Sequence, residues 1–251
     1  MKRKVVALIT ALTLIGGVFG TTGFAKVEAA PEVKTEQETL QDTERNVINF
    51  NTDWHYKKGD VSGGEKVDFV DEDWVYVNLP HSTIFYTAEN KDAYLGISWY
   101  WKDFEVEENL KGKKLMLTFE AAMQKAEVYV NGQKVMTHEG GYIPFVIDIT
   151  DEVNYGAENT IAVKIDSRPN TNFAPGKDKP DFQYFGGIYG NSYITVTDEL
   201  HITDAVEANE TAGGGVFITA PEVAKDKAAV KVKRMWKMRG KKVKRQYFSR
   251  R

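Results

Sequence analysis

The chain has 251 residues, 42% hydrophobic and 12% aromatic, which is enough for one sizeable core and the beginning of a second domain. It contains no cysteine, and this excludes a disulfide framework, a thiolate metal site and a cysteine nucleophile. The net charge of −3 is uneven: residues 234–251 hold nine Lys and Arg and no acid, leaving −12 on the remainder, which argues against nucleic acid as a partner of the body.

The chain opens with Lys2, Arg3 and Lys4, then an apolar run over residues 5–19 broken by Thr10, Thr13, Gly16 and Gly17. Small residues at Ala25, Ala29 and Ala30 offer cleavage points, so residues 1–30 are expected to be an export signal and the protein secreted or cell-surface. The competing reading is a membrane anchor, but a span needs about 20 apolar residues. Residues 31–46 are polar and charged and read as a flexible spacer.

From Val47 onward apolar and polar residues alternate in short runs separated by turn residues. Leu115, Leu117 and Phe119 point one way, and Met116, Thr118 and Glu120 the other, the period of a half-buried strand. Ala126, Val128 and Val130 repeat it, and Asn131-Gly132 then predicts a tight hairpin into Gln133, because both turn residues must take positive φ. Phe145, Ile147 and Ile149 alternate, as do Ile161, Val163 and Ile165, and less cleanly Tyr193, Thr195 and Thr197. With no 3.6-residue stripe in any window, residues 47–203 are expected to be all-β, an antiparallel two-sheet sandwich.

Residues 207–215 read as a small-residue linker, and residues 216–219 and 228–232 as the first strands of a further domain, 204–233, too short for a whole sandwich of about 100 residues. Residues 234–251 show neither strand alternation nor loop chemistry and read as an aberrant basic tail, such as translation in a shifted frame.

Several segments, in order, resemble glycoside hydrolase family 2. They are Asp73-Trp74 through Pro80-His81, Gly96 through Trp99-Tyr100, Phe119-Glu120-Ala121 through Val128-Tyr129-Val130-Asn131-Gly132, and His138 through Pro144-Phe145. Asp148-Ile149-Thr150, Asn159 through Lys164, and Asp181-Phe182 with Gly186-Gly187-Ile188-Tyr189 complete the set. The resemblance covers about residues 47–233 and is closest to β-galactosidase-like members. It implies an all-β jelly-roll, galactose-binding-like domain followed by the start of an immunoglobulin-like domain, and an enzyme that hydrolyses O-glycosyl bonds without a cofactor.

In that family the Asp at the position of Asp181 reaches into the active-site mouth and holds sugar hydroxyls, a role suited to a bidentate carboxylate. The competing role is a loop cap. Asn90, in the loop 85–91, is a second candidate sugar contact. Where many members read Ile-Tyr-Arg-Asp, this chain has Ile188-Tyr189-Gly190-Asn191. The resemblance also implies a retaining mechanism with two Glu about 5 Å apart, carried on a (β/α)8 barrel. No such alternation of strands and helices occurs in these residues, so no catalytic residue is nominated. The expected partners are a β-galactoside-like carbohydrate and the catalytic domain of a full-length enzyme, with no nucleic acid and membrane contact only through the export signal. The alternative is a free-standing secreted carbohydrate-binding module.

Trp74, Trp99, Tyr100 and Trp101 are expected mainly as core, with sugar stacking the competing role. His81 and His138 lack metal spacing and are expected to make structural hydrogen bonds. Gly140-Gly141 and Gly186-Gly187 read as turns or points of close backbone approach rather than phosphate loops.

Overall fold

The computed structural model describes residues 45–69, 73–83, 94–172, 174, 184–211, 213–238 and, as backbone, 241–250. The alternating runs form strands β1 (Arg45–Asn49), β2 (Trp54–Lys58), β3 (Val75–Val77), β4 (Ile97–Val106), β5 (Lys114–Phe119), β6 (Lys125–Val130), β7 (Gln133–Glu139), β8 (Phe145–Asp148), β9 (Ala157–Asp166) and β10 (Ser192–Thr197). They pair antiparallel into a four-stranded sheet, β1-β10-β5-β8, and a six-stranded sheet, β3-β2-β4-β9-β6-β7. The expected all-β antiparallel sandwich is therefore present, beginning at Arg45 rather than Val47.

Period-two patterning puts Leu115, Leu117, Phe119, Ile147, Ile194 and Val196 of one sheet into a shared core with Trp54, Tyr100, Val128, Ile161, Val163 and Ile165 of the other. Burying each large apolar side chain contributes about 1.5–3 kcal/mol. The ring of Phe119 stacks on Phe145 with centroids 5.1 Å apart. On β10 the core-facing residues are Ile194 and Val196, the opposite parity to Tyr193 and Thr195. The segment that follows β10 half-covers the outer face there and blurs the alternation.

Asn131 and Gly132 take φ of 49° and 80°, as a tight hairpin between β6 and β7 requires. Asn131 also reaches beyond its turn. Its Nδ2 donates to Glu152 O and to Asn159 Oδ1, both at 2.8 Å, and its Oδ1 accepts from Thr160 N at 3.0 Å.

After the sandwich come β11 (His201–Ile202), the short helix α1 (Ala205–Ala208), β12 (Val216–Val223), β13 (Ala228–Met238) and β14 (Lys241–Arg250). Asp204 caps α1 by accepting from Val206 N and Glu207 N, so Glu207 lies in a helical turn and not in the expected linker. β13 pairs with β11 and β12 along one side and with β14 along the other. The two strands expected after the linker are thus present. The expectation that residues 234–251 lack strand character is corrected. β13 runs to Met238 and 241–250 pairs with it. Met235 is buried, its N–H donates to Gly215 O and its carbonyl accepts from Thr203 N. The nine Lys and Arg fall without a period of two, which hid the strand, but Lys237 is neutralised by Glu207 at 2.9 Å.

Candidate functional site

Asp181 and Asn90 both lie outside the described residues. The stems of their loops are described, and they run together. His81 N donates to Ile188 O at 2.8 Å, Thr83 N donates to Gly186 O at 3.0 Å, and Thr83 Oγ1 donates to Tyr94 O at 3.2 Å. The chain entering the Asn90 loop is therefore hydrogen-bonded to the chain leaving the Asp181 loop. The signal for this was the position of Pro80-His81 and Gly186-Gly187 in the family pattern. The pairing itself is not legible in either segment alone.

Residues 186–189 are fixed from several sides. Met123 N donates to Gly187 O at 3.0 Å, and Gly187 N donates to Ser167 Oγ at 3.4 Å. Ser167 Oγ in turn donates to Met123 O at 2.8 Å, and Tyr184 Oη donates to Ser167 O at 3.3 Å. The Tyr189 hydroxyl donates to Gly141 O, and Phe185 and Tyr189 stack with centroids 4.6 Å apart. Gly187 has φ +79°, and a Cβ there would lie against the Tyr100 hydroxyl. A Cβ on Gly141 would meet Met123 Sδ. These glycines serve close backbone approach, as expected.

Gly190 and Asn191, where the chain departs from the family's Arg-Asp, have their own structural roles. Gly190 packs on the Ala121 backbone. Asn191 Nδ2 donates to Glu120 Oε2 at 2.8 Å and its Oδ1 accepts from Asn51 Nδ2 at 3.1 Å.

The frame is uncharged at its centre. Burial, with some help from Tyr56, raises the Tyr100 hydroxyl well above its ordinary range. Burial likewise pushes Tyr184 and Tyr189 up to about 12 and lowers His81 and His138. Ile188 N–H donates to Tyr100 Oη at 3.4 Å, which leaves the hydroxyl proton for the Nδ1 of a neutral His81 ring at 2.8 Å. His138 Nε2 lies 2.9 Å from Gly140 O and its ring stacks on Phe145. Both histidines thus make the structural hydrogen bonds expected of them.

Arg168 stands at the rim, and the sequence reading missed it. It stands two residues past the end of β9 and clasps Asp166 with Nε at 2.8 Å and Nη2 at 2.6 Å. The fork holds the Asp166 carboxyl below its usual range, against burial, so this group stays a carboxylate and is unsuited to be a general acid. An acid and a base two residues apart at a strand end were the available signal. Of the aromatic candidates, Tyr100 is core, and Trp99 is buried on the opposite face beneath Gly64. Trp74 and Trp101 are half-buried on that same outer face.

The fold is that of an antiparallel two-sheet β-sandwich. The family model described as "Glycosyl hydrolases family 2, sugar binding domain" matches residues 29–197. The chain belongs to that family. It is 42% identical over 163 residues to a β-galactosidase of Thermoanaerobacter pseudethanolicus, covering 64% of this chain and 22% of that protein. It is 30% identical over 213 residues to a β-glucuronidase of Formosa agariphila, covering 78% and 21%. Among solved structures, a Bacteroides uniformis β-glucuronidase superposes with a TM-score of 0.68 at 25% identity, covering 82% of this chain and 26% of that one. A family 2 member from Bacteroides cellulosilyticus gives 0.63 at 27%, covering 82% and 29%. The sandwich is thus the jelly roll of the family's sugar-binding domain, and the chain spans about a fifth of the length of the curated relatives it matches.

Proposed function

We propose that this chain is the substrate-side domain of an exported retaining glycosidase that hydrolyses β-galactosides. In this reading Asp181 accepts hydrogen bonds from sugar hydroxyls and Asn90 supplies a second contact. The two catalytic Glu stand on a (β/α)8 barrel outside these residues, and residues 204–233 open the immunoglobulin-like domain that leads to it.

The observation that carries the reading is the hydrogen-bonded pair of stems, 81–83 with 186–188, which gives the two loops one rigid base. Substrate contacts need such preorganised supports. The β-galactosidase relative at 42% identity favours a galactoside. Lys2, Arg3, Lys4 and the apolar run after them favour export.

The test is hydrolysis of a nitrophenyl β-galactoside. The pure chain gives no heat-labile turnover, whereas the chain joined to a family 2 barrel gives turnover. Turnover by the chain alone overturns the division of labour, and a preference of the joined protein for the β-glucuronide overturns the galactoside assignment.

A further inference from the structure

One row across the outer face of the six-stranded sheet is aromatic where solvated antiparallel sheets are normally polar. Tyr76 of β3 pairs with His55 of β2, and His55 pairs with Trp101 of β4. The His55 ring stacks on Trp101, with centroids 5.9 Å apart and planes at 22°. Tyr76 meets the same ring edge-on at 4.4 Å, and Trp74 meets it at 6.3 Å. Tyr76 is 75% exposed, and the other three are half-buried. The four rings meet at His55, Tyr76 and Trp74 standing at 66° and 71° to its plane, and this aromatic platform buries nothing of the sandwich core, which lies behind Tyr56 and Tyr100 on the opposite face.

We propose that this platform is a second carbohydrate site that takes a neutral oligosaccharide chain. Flat rings offer their faces to the C–H face of a pyranose, and contiguous exposed apolar patches mark binding surfaces. The groups around the rings select the ligand. Asp103 lies two residues from Trp101 on the same face of β4. One of its oxygens accepts from Thr160 Oγ1 at 3.0 Å, and the carboxylate has a second oxygen for a sugar hydroxyl. Asp73, 87% exposed, flanks Trp74 and pairs with Lys57 at 3.7 Å. Asp103 beside the rings accepts hydroxyl donors, the Asp73–Lys57 pair is neutral, and the −12 of the body disfavours an anionic polymer.

The platform is separate from the loop frame. The strand end nearest that frame is Ile97, paired with Asp166, and Trp101 lies four residues along β4, about 13 Å at the rise of a strand. A site there holds a polysaccharide chain while another site acts on its end.

Affinity electrophoresis of the full chain through gels containing a neutral β-galactan, or polygalacturonate, tests this directly. The neutral gel is expected to retard the protein through Tyr76 and Trp74, whereas any retention by the acidic gel is independent of both side chains and comes from the nine Lys and Arg of residues 234–251. Tyr76→Ala and Trp74→Ala should each weaken retention about fivefold or more with an unchanged melting temperature, because both side chains lie outside the core. Asp181→Ala should leave in place the part of the retention that depends on Tyr76 and Trp74. Absence of retardation in the neutral gel overturns the proposal, as does equal retention of the Tyr76 and Trp74 variants. Tyr76-dependent self-association in sedimentation without retardation overturns it too, by assigning the platform to a second copy of the chain. Loss of retention in Asp181→Ala alone moves the binding to the loop frame, which sinks the platform and leaves the glycosidase reading standing.

Discussion

Gly187 presses its α-carbon side against the Tyr100 hydroxyl, at a φ of +79° that side chains rarely adopt. The same hydroxyl accepts from Ile188 N and bonds His81 Nδ1, so one buried tyrosine holds both loop stems. Gly187→Ala adds a Cβ that meets the hydroxyl and imposes backbone strain, with an expected loss of about 2–4 kcal/mol in urea unfolding. Tyr100→Phe relieves the contact but strands the buried Ile188 N–H and the half-buried His81 ring, and costs about 1–3 kcal/mol. Gly187→Ala as stable as wild type would show that the segment is not held against Tyr100.

Asn159 is 1% exposed and satisfies four partners. Its Nδ2 donates to Asn154 O and Ala157 O, and its Oδ1 accepts from Asn154 N and Asn131 Nδ2. Asn159→Ala leaves part-buried amide and carbonyl groups of Asn131, Asn154 and Ala157 without their partner and is expected to destabilise by about 1–3 kcal/mol, whereas Asn154→Ala keeps the backbone bonds and costs far less. Chemical denaturation of both variants checks the contrast.

Glu207 gives the segment after the sandwich a pH dependence. Burial alone would raise its carboxyl, but His201 at 3.5 Å and Lys237 at 2.9 Å outweigh burial and pull it from 4.5 down to about 2. A depressed carboxylate pKa stabilises the folded state above the unfolded value, and that contribution is lost as pH falls from about 4.5 through about 2. The contribution is on the order of 3 kcal/mol at neutral pH. Glu207→Gln should lower stability at pH 7 and flatten its decline in that acidic window, as followed by calorimetry. A variant with the wild-type pH profile would show that Glu207 is not the group responsible.

The sandwich was legible because its core-facing positions are apolar at period two: Leu115, Leu117 and Phe119 alternate with Lys114, Met116 and Thr118 on a strand buried on both faces, and the Asn131-Gly132 turn takes positive φ. The signal failed where aromatic or β-branched residues stand on both faces of a strand. Trp99 is packed beneath Gly64 while Tyr100 fills the core, so three consecutive aromatics show no alternation. β10 reads poorly for the same reason. Lys102 is 5% exposed yet donates to Thr52 O at 2.7 Å, a contact that a charged residue in a strand does not advertise. Of the candidate site, the glycines and the two histidines were readable as structural. The joining of the two stems was not, because it depends on backbone hydrogen bonds between segments more than 100 residues apart.

The central claim is that the Asp181 loop contributes substrate binding to chemistry performed elsewhere. The most direct test is kcat/KM for a nitrophenyl β-galactoside in the chain joined to its barrel, with and without Asp181→Ala. Loss of a charged hydrogen bond to a sugar hydroxyl predicts a fall of about 10–100-fold at an unchanged melting temperature. A kcat/KM equal to that of the unsubstituted protein would contradict the account.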